Sequence, residues 1–257
     1  MINHRIILKP KVRQAKISDL VASRGKVSVE DLAGRFDTSA ETIRRDLTVL
    51  ADAGHIRKVH GGAQPATPIG EGGFDARMRR NALAKRVIAE KVVRQVSPGQ
   101  TLFLDTGSTT LICAEALARV RRLTIITNST RIADTFAKGS GAADVYLLGG
   151  FYRGDNAQTV GASLVRDVAG YQADTAIITI GALDQTGVMD FSNHEAEVAR
   201  AMIASAKNLQ VLADHSKFNR SAPFRVSPLA GIDQLVVDKS PDANLSGALA
   251  TGGIEVI

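Results

Sequence analysis

"TSAETIRRDLTVLADAG", residues 38–54, begins with hydroxyl side chains, continues through an apolar stripe at helical spacing and closes on glycine. Ser39 is placed to accept an orphan N–H of a first helical turn, and Gly54 supplies a helix stop. At about 100° per residue, Ile43, Leu47 and Leu50 fall in one narrow stripe that must be buried. Glu41, Arg45 and Thr48 point the opposite way, with Thr42 and Arg44 on the flanks. A short helix with two adjacent arginines and small hydroxyls outward either faces water or faces something negative.

The residues before it decide between these. "VRQAKISDLVASRG" predicts a helix burying Ile17, Leu20 and Val21 and stopping at Gly25. "SVEDLAGRF" predicts a second helix, capped by Ser28 with Asp31 in capping-box spacing, that buries Leu32, Ala33 and Phe36. About three residues separate it from the third helix, the spacing of a helix-turn-helix. "HIRKVHGGA" follows, short and basic, and predicts a small hairpin or wing. In this arrangement the outward face of the third helix suits a DNA major groove, where arginine reads guanine edges or phosphates and threonine meets thymine methyls or phosphates. Candidate DNA contacts are therefore Ser39, Glu41, Thr42, Arg44, Arg45 and Thr48, joined by Arg57, Lys58 and His60 from the wing. The plain alternative pairs Arg44 and Arg45 with Asp46, Glu41 or Asp52 in solvent. Charge distribution favours DNA: residues 1–64 hold twelve Lys/Arg against seven Asp/Glu, whereas the remaining residues nearly balance, twenty against nineteen.

The 257 residues suffice for one medium core plus a small appended domain. No apolar run reaches bilayer-spanning length, and "MINHRIILKPKVRQ" lacks a signal-peptide pattern. Cys113 is the only cysteine, so no internal disulfide forms, and a reducing cytoplasm is the expected compartment. The expected division is a winged helix-turn-helix at 1–62, a linker at 63–80, an α/β domain at 81–240 and a tail at 241–257. "QPATPIGEGGFDARMRRNALAKR" starts as linker and enters a helix ending near Val96. Its Arg77, Arg79 and Arg80 are open to three readings: DNA phosphates, solvent, or contacts between domains. The tail reads as turn-rich, with "IEVI" a possible short strand.

From Thr101 onward, "TLFLD", "LTIIT", "VYLLG", "DTAIITIG", "LQVLAD" and "QLVVD" read as short buried strands. Helical stretches after Thr109, Thr130, Gly161 and His194 predict a mostly parallel α/β sheet covered on both faces. In such a sheet the strand ends share one edge, where ligands bind. Those ends carry Asp105, Gly107, Ser108, Thr109 and Thr110; then Asn128; then Gly149 and Gly150; then Gly181; then Asp214 and Lys217. Glycines admit backbone N–H groups to an anion, hydroxyls and a helix N-terminus hold phosphate, and lysine adds charge. The set fits a small phosphorylated sugar or polyol. Singly, each residue is also an ordinary turn, cap or surface residue. His194 and His215 show no metal spacing, Cys113 sits in an apolar helix as a buried small side chain, and no P-loop or dinucleotide fingerprint occurs, so no cofactor is expected.

"TIRRDL" followed by "HGGA" resembles the DeoR family of bacterial transcription regulators, and the resemblance extends from about Val12 to Asp238. It implies a sequence-specific DNA-binding regulator, usually a repressor, controlled by a sugar-phosphate-like metabolite. "LDTGSTT", "TNS", "LLGG" and "ADHSKF" resemble the family's sensor motifs, in a domain similar in fold to ribose-5-phosphate isomerase. By position, the resemblance assigns Asp105, Gly107, Ser108, Thr109 and Thr110 to the phosphate or sugar end. Asn128, Gly149, Gly150, Asp214 and Lys217 line the rest, and Glu195 and Gly181 complete the candidate set. In "DFSNHEAEVARAMI", Ala199 stands where many members carry lysine. "GVMDF" and "DHSKF" resemble the glycerol-3-phosphate regulon repressor branch, with glycerol-3-phosphate one candidate effector.

A competing reading is catalysis. Sugar-phosphate isomerisation needs a carboxylate base and a cation for the enediolate; Asp105, Asp184 and Glu195 with Lys217 are the available groups. The DNA-binding unit gives the pocket a sufficient role without it. The expected assembly is a homodimer or homotetramer, placing two recognition helices on repeated half-sites.

Overall fold

The computed structural model describes residues 8–24, 26–53, 55–65 and 72–257. The expected helix stops at Gly25 and Gly54 and residues 66–71 of the expected linker lie outside them. The chain divides into two compact units, Met1–Gly72 and Gly73–Ile257.

In the first unit, α1 (Pro10–Arg24), α2 (Val29–Arg35) and α3 (Ala40–Asp52) surround a small core with β1 (Val27–Ser28), β2 (Ile56–Val59) and β3 (Gly62–Pro65). Ile17, Val21, Leu32, Ile43, Leu47 and Leu50 are all buried in that core. The Ser28 hydroxyl accepts from Asp31 N and the Ser39 hydroxyl from Thr42 N, so each cap satisfies a first-turn donor. Strands β2 and β3 form the wing hairpin and β1 pairs with β3, in the order β1-β3-β2. Gly61 turns the hairpin at φ +74°, and a Cβ on Gly62 would strike Val27 O at 2.0 Å. Sequence reading missed one link. Asp46 is buried in α3, accepting from Arg13 Nε at 2.5 Å and Gln14 Nε2 at 2.9 Å. Asp46 thus ties α3 to α1 instead of pairing with Arg44 or Arg45.

The second unit opens with α4 (Phe74–Arg79) and α5 (Ala82–Gln95). There follow β4 (Thr101–Leu104), α6 (Ser108–Leu117), β5 (Thr124–Thr127), α7 (Thr130–Ala137) and β6 (Asp144–Leu147). A hairpin of β7 (Phe151–Arg153) and β8 (Gln158–Val160) leads to α8 (Ala162–Val168) and β9 (Ala173–Thr179). Then come β10 (Ala182–Asp184), β11 (Gly187–Asp190), α9 (Asn193–Ala204), β12 (Ala206–Ala213), β13 (Phe224–Ser227) and β14 (Gln234–Val237). The chain ends with α10 (Ala243–Thr251) and β15 (Glu255–Val256).

Seven strands make one all-parallel sheet in the order β15-β14-β12-β9-β4-β5-β6. Alternate residues feed two cores: Leu102, Leu104, Ile125, Ile177, Leu212 and Val236 face one, and Phe103, Ile126, Ala176, Ile178, Val211 and Leu235 the other. Residues of α5, α6 and α7 line the first core and those of α8, α9 and α10 the second. Burial on both faces is why these strands read as continuous apolar runs. Strands β10, β11 and β13 form a separate antiparallel sheet that sequence reading did not separate out. The tail is more structured than its composition indicated. Asp242 caps α10 through Asn244 N and Leu245 N, Leu245 and Leu249 join the core, and β15 pairs with β14.

Candidate functional site

The direction in which successive strands are added to the sheet reverses between β4 and β9. From β4 the order runs through β5 to β6; from β9 it runs the other way through β12 to β14. A crevice forms at such a switch point beyond the C-terminal strand ends. Asp105 leaves β4 there, and its Oδ2 accepts from Thr179 N at the end of β9, 3.0 Å away. Gly107 allows the two strand ends this close approach, since a Cβ would meet Thr179 Oγ1 at 2.2 Å. Asp105 Oδ1 is buried without a hydrogen-bond partner among the described residues. Burial, reinforced by Asp190 and Glu195, pushes the Asp105 carboxyl well above the usual carboxylate range.

Next to it, α6 begins at Ser108 with no side-chain cap from Gly107. Its first-turn N–H groups and helix dipole present positive potential. The neighbouring cation is Lys85, buried on α5, whose Nζ donates to Ser108 Oγ at 2.8 Å and to Arg77 O on α4 at 2.5 Å. Burial, partly offset by Asp214, brings the Lys85 pKa down to about 8. Asn81, in left-handed geometry at φ +53°, donates from Nδ2 to Asp214 Oδ1. Asp214 also caps the 3-10 turn holding Lys217, through Ser216 N. Lys217 is half-buried on that turn and desolvation lowers its pKa to about 8.

A polar wall completes the group. Arg77 Nη2 donates to Asn156 Oδ1, and Asn156 Nδ2 and Gln158 Nε2 both donate to Glu195 Oε1, each at 2.8 Å. Asp190, at the end of β11, is raised to about pKa 7, first by burial and then by Glu195. Thus Asp105, Glu195 and Asp214 share one electrostatic neighbourhood with Arg77, Lys85 and Asp190, and Ser108 joins it through its hydrogen bond from Lys85. Sequence pattern does not mark Arg77, Asn81, Lys85, Asn156, Gln158 or Asp190 as part of this group; Arg77 stands out only within a basic cluster.

The other candidates are placed differently. Thr109 and Thr110 are buried in the first turn of α6, with Thr110 Oγ1 donating to Gly107 O. Asn128 is a buried pin that accepts from Thr106 Oγ1 and donates to Thr159 O. Gly150 lies against Val160 O, which a Cβ would approach to 2.7 Å, while Gly149 is exposed with no nearby atom to restrict it. Gly181 packs on the Phe191 ring. Asp184 closes the β10–β11 turn by accepting from Thr186 N and Oγ1. Ala199 sits one turn beyond Glu195, buried in the core, and brings no charge to the group. Cys113 is buried, which pushes its thiol pKa up. Among the described residues no His/Cys/Asp/Glu group fit to hold a metal occurs, and no helix is long and apolar enough to cross a membrane.

In the first unit Arg44 and Arg45 remain outward, with side chains 57% and 80% exposed beside Glu41. Such exposed pairs contribute about 0–1 kcal/mol, so they do not hold the arginines back. Thr48 Oγ1 donates to Arg44 O and accepts from Lys58 Nζ, linking α3 to the wing. Arg57 reaches across the hairpin to Gln64, and His60 is exposed at its turn.

Residues 13–68 match the DeoR-like helix-turn-helix domain and residues 80–239 the DeoR C-terminal sensor domain. The chain belongs to the DeoR family. Among DeoR relatives, the HTH-type transcriptional repressor CsqR of Escherichia coli (strain K12) is 34% identical over 95% of this chain and 94% of its own. The glycerol-3-phosphate regulon repressor of Haemophilus influenzae is also 34% identical, over 91% of this chain and 92% of its own. These DeoR relatives are named as repressors, not enzymes. A ribose 5-phosphate isomerase from Plasmodium falciparum aligns over 52% of each chain with 16% identity and a TM-score of 0.38. That distant likeness carries no argument for catalysis.

Proposed function

We propose that this chain is a cytoplasmic operator-binding repressor of a carbohydrate- or polyol-catabolic operon, governed by a phosphorylated sugar or polyol. The observation that carries the reading is the pairing of Lys85 with the uncapped start of α6 at the sheet's switch point. A phosphate there accepts from the first-turn N–H groups, Ser108, Thr109 and Lys85, with Lys217 as a further cation. Asp105, Glu195 and Asp214 are acceptors suited to sugar hydroxyls. Names of the relatives support the same class, since glycerol-3-phosphate regulon repressors are among them.

In this reading Lys85 also transmits the signal. An anion at α6 competes for the ammonium that holds Arg77 O, and so loosens α4, the first helix after residues 66–71. Operator affinity then changes only by the effector's differential affinity for the two states. The outward residues of α3, Arg44 and Arg45 above all, enter the major groove. Wing residues Arg57, Lys58 and His60 meet the backbone, and a homodimer or homotetramer spans repeated half-sites.

The test is thermal unfolding of the full chain against glycerol-3-phosphate and a panel of sugar phosphates, each beside its unphosphorylated counterpart. A shift that requires phosphate and vanishes in Lys85→Met supports the site. No phosphate-dependent shift across the panel, or one that survives Lys85→Met, overturns it.

A further inference from the structure

On the sheet face covered by α5 and α6, the row Ile177–Gln210–Gln234–Glu255 crosses four adjacent strands in register. Further along β12 and β14 this face is apolar, through Leu212 and Val236. Nearer the N-terminal strand ends it becomes polar where α5 finishes at Gln95. A groove of about 390 Å³ lies there, with Thr175, Asn208 and Gln210 on its floor and Gln95 and Gln100 at its side.

Hydrogen bonds along the row have one permitted direction. Ionised Glu255 only accepts, so Gln234 must turn its NH2 toward it, and Nε2 donates to Glu255 Oε2 at 2.7 Å. The Gln234 carbonyl therefore faces Gln210, whose Nε2 donates to it at 2.9 Å. Gln210 Oε1 is left pointing away from the row, on a residue only 2% exposed, with no hydrogen-bond partner among the described residues. A buried carbonyl of this kind costs about 1–3 kcal/mol unless a donor reaches it.

We propose that this groove is a second ligand site, separate from the switch-point crevice, and that it takes an unphosphorylated sugar or polyol. Among the described residues the lining includes Asp233 and Glu255 but no lysine or arginine, so it offers two negative charges and no cation to a phosphate. Primary amides and Thr175 offer donors and acceptors side by side, and hydroxyl groups answer both kinds. A turn of the Gln210 side chain, whose Oε1 is closed to solvent in this arrangement, brings that oxygen to one ligand hydroxyl, and the neighbouring hydroxyls engage Asn208 and the side-wall amides.

The experiment is ligand-observed NMR on the full chain with glycerol, sorbitol and a set of free pentoses and hexoses. Putrescine serves as a cationic comparison. At least one neutral compound binds, binding persists in Lys85→Met, and Gln210→Leu weakens it tenfold or more. Asn208→Ala provides the same test should Gln210→Leu fail to fold. The proposal is overturned if no neutral sugar or polyol binds, if binding survives both groove substitutions, or if it disappears in Lys85→Met. Gln210-dependent binding of putrescine alone also overturns the ligand class. A phosphate-dependent response at the other site is unaffected by any of these results.

Discussion

Lys85 donates to a hydroxyl on the crevice side and to a carbonyl on the chain side, and both bonds are stronger in its charged form. Its pKa near 8 lies within reach of ordinary buffers. An anionic effector requires the ammonium, so phosphate-dependent binding should weaken as pH rises from 7 through 9. Calorimetry across that range should also show proton uptake on binding; a flat profile would remove Lys85 from the contact. Asp190 gives the opposite kind of test. Its carboxyl titrates near 7 in the folded chain, against about 3.9 when unfolded. The folded state therefore holds the extra proton between these values, and stability falls as pH rises from about 4 to 7. Asp190→Asn keeps the acceptor for Ser192 N and removes the titration. Urea unfolding at pH 5 and pH 7.5 should show a smaller loss for the variant, by on the order of a few kcal/mol.

At the level of elements, α3 works because its burial and its outward charge are separated around the helix. Arg45→Ala should weaken operator binding by about 1–3 kcal/mol if it reads a base, with the loss concentrated on the cognate sequence. Equal losses on cognate and random DNA in a mobility-shift titration would assign it to phosphate. Arg13→Met leaves Asp46 as an uncompensated buried charge and should cost about 3–5 kcal/mol, read as earlier melting of the first unit. Periodicity made α3 and the doubly buried strands legible, because each repeats a pattern over several residues. Lys85, Asn156 and Asp190 had no such mark: they meet through tertiary folding from α5, the β7–β8 connection and β11. The basic cluster of Arg77, Arg79 and Arg80 is open to three readings in the sequence, and of the three only Arg77 is buried while Arg79 and Arg80 are exposed. The tail was obscured by "DANLSGALATGG", whose small residues and glycines have weak helical contrast, although Asp242 caps a helix of nine residues. Leu249→Ala there should cost about 2–5 kcal/mol in denaturant unfolding, as for any fully buried leucine.

Across the whole molecule, the proposed relay through the Lys85 bond to Arg77 O would set a thermodynamic exchange rate. Whatever free energy the effector withdraws from operator binding, the operator must withdraw from effector binding. Where the effector releases DNA, a protomer already on DNA is a poorer receptor than one free in solution. The metabolite concentration that clears an operator would exceed the dissociation constant measured on the free protein. On that relay, a strong Lys85–Arg77 bond would make a sharper but deafer switch, and a weak one a sensitive switch that leaks. Promoter response could thus be retuned by altering a single carbonyl contact, with neither the operator nor the effector chemistry changed.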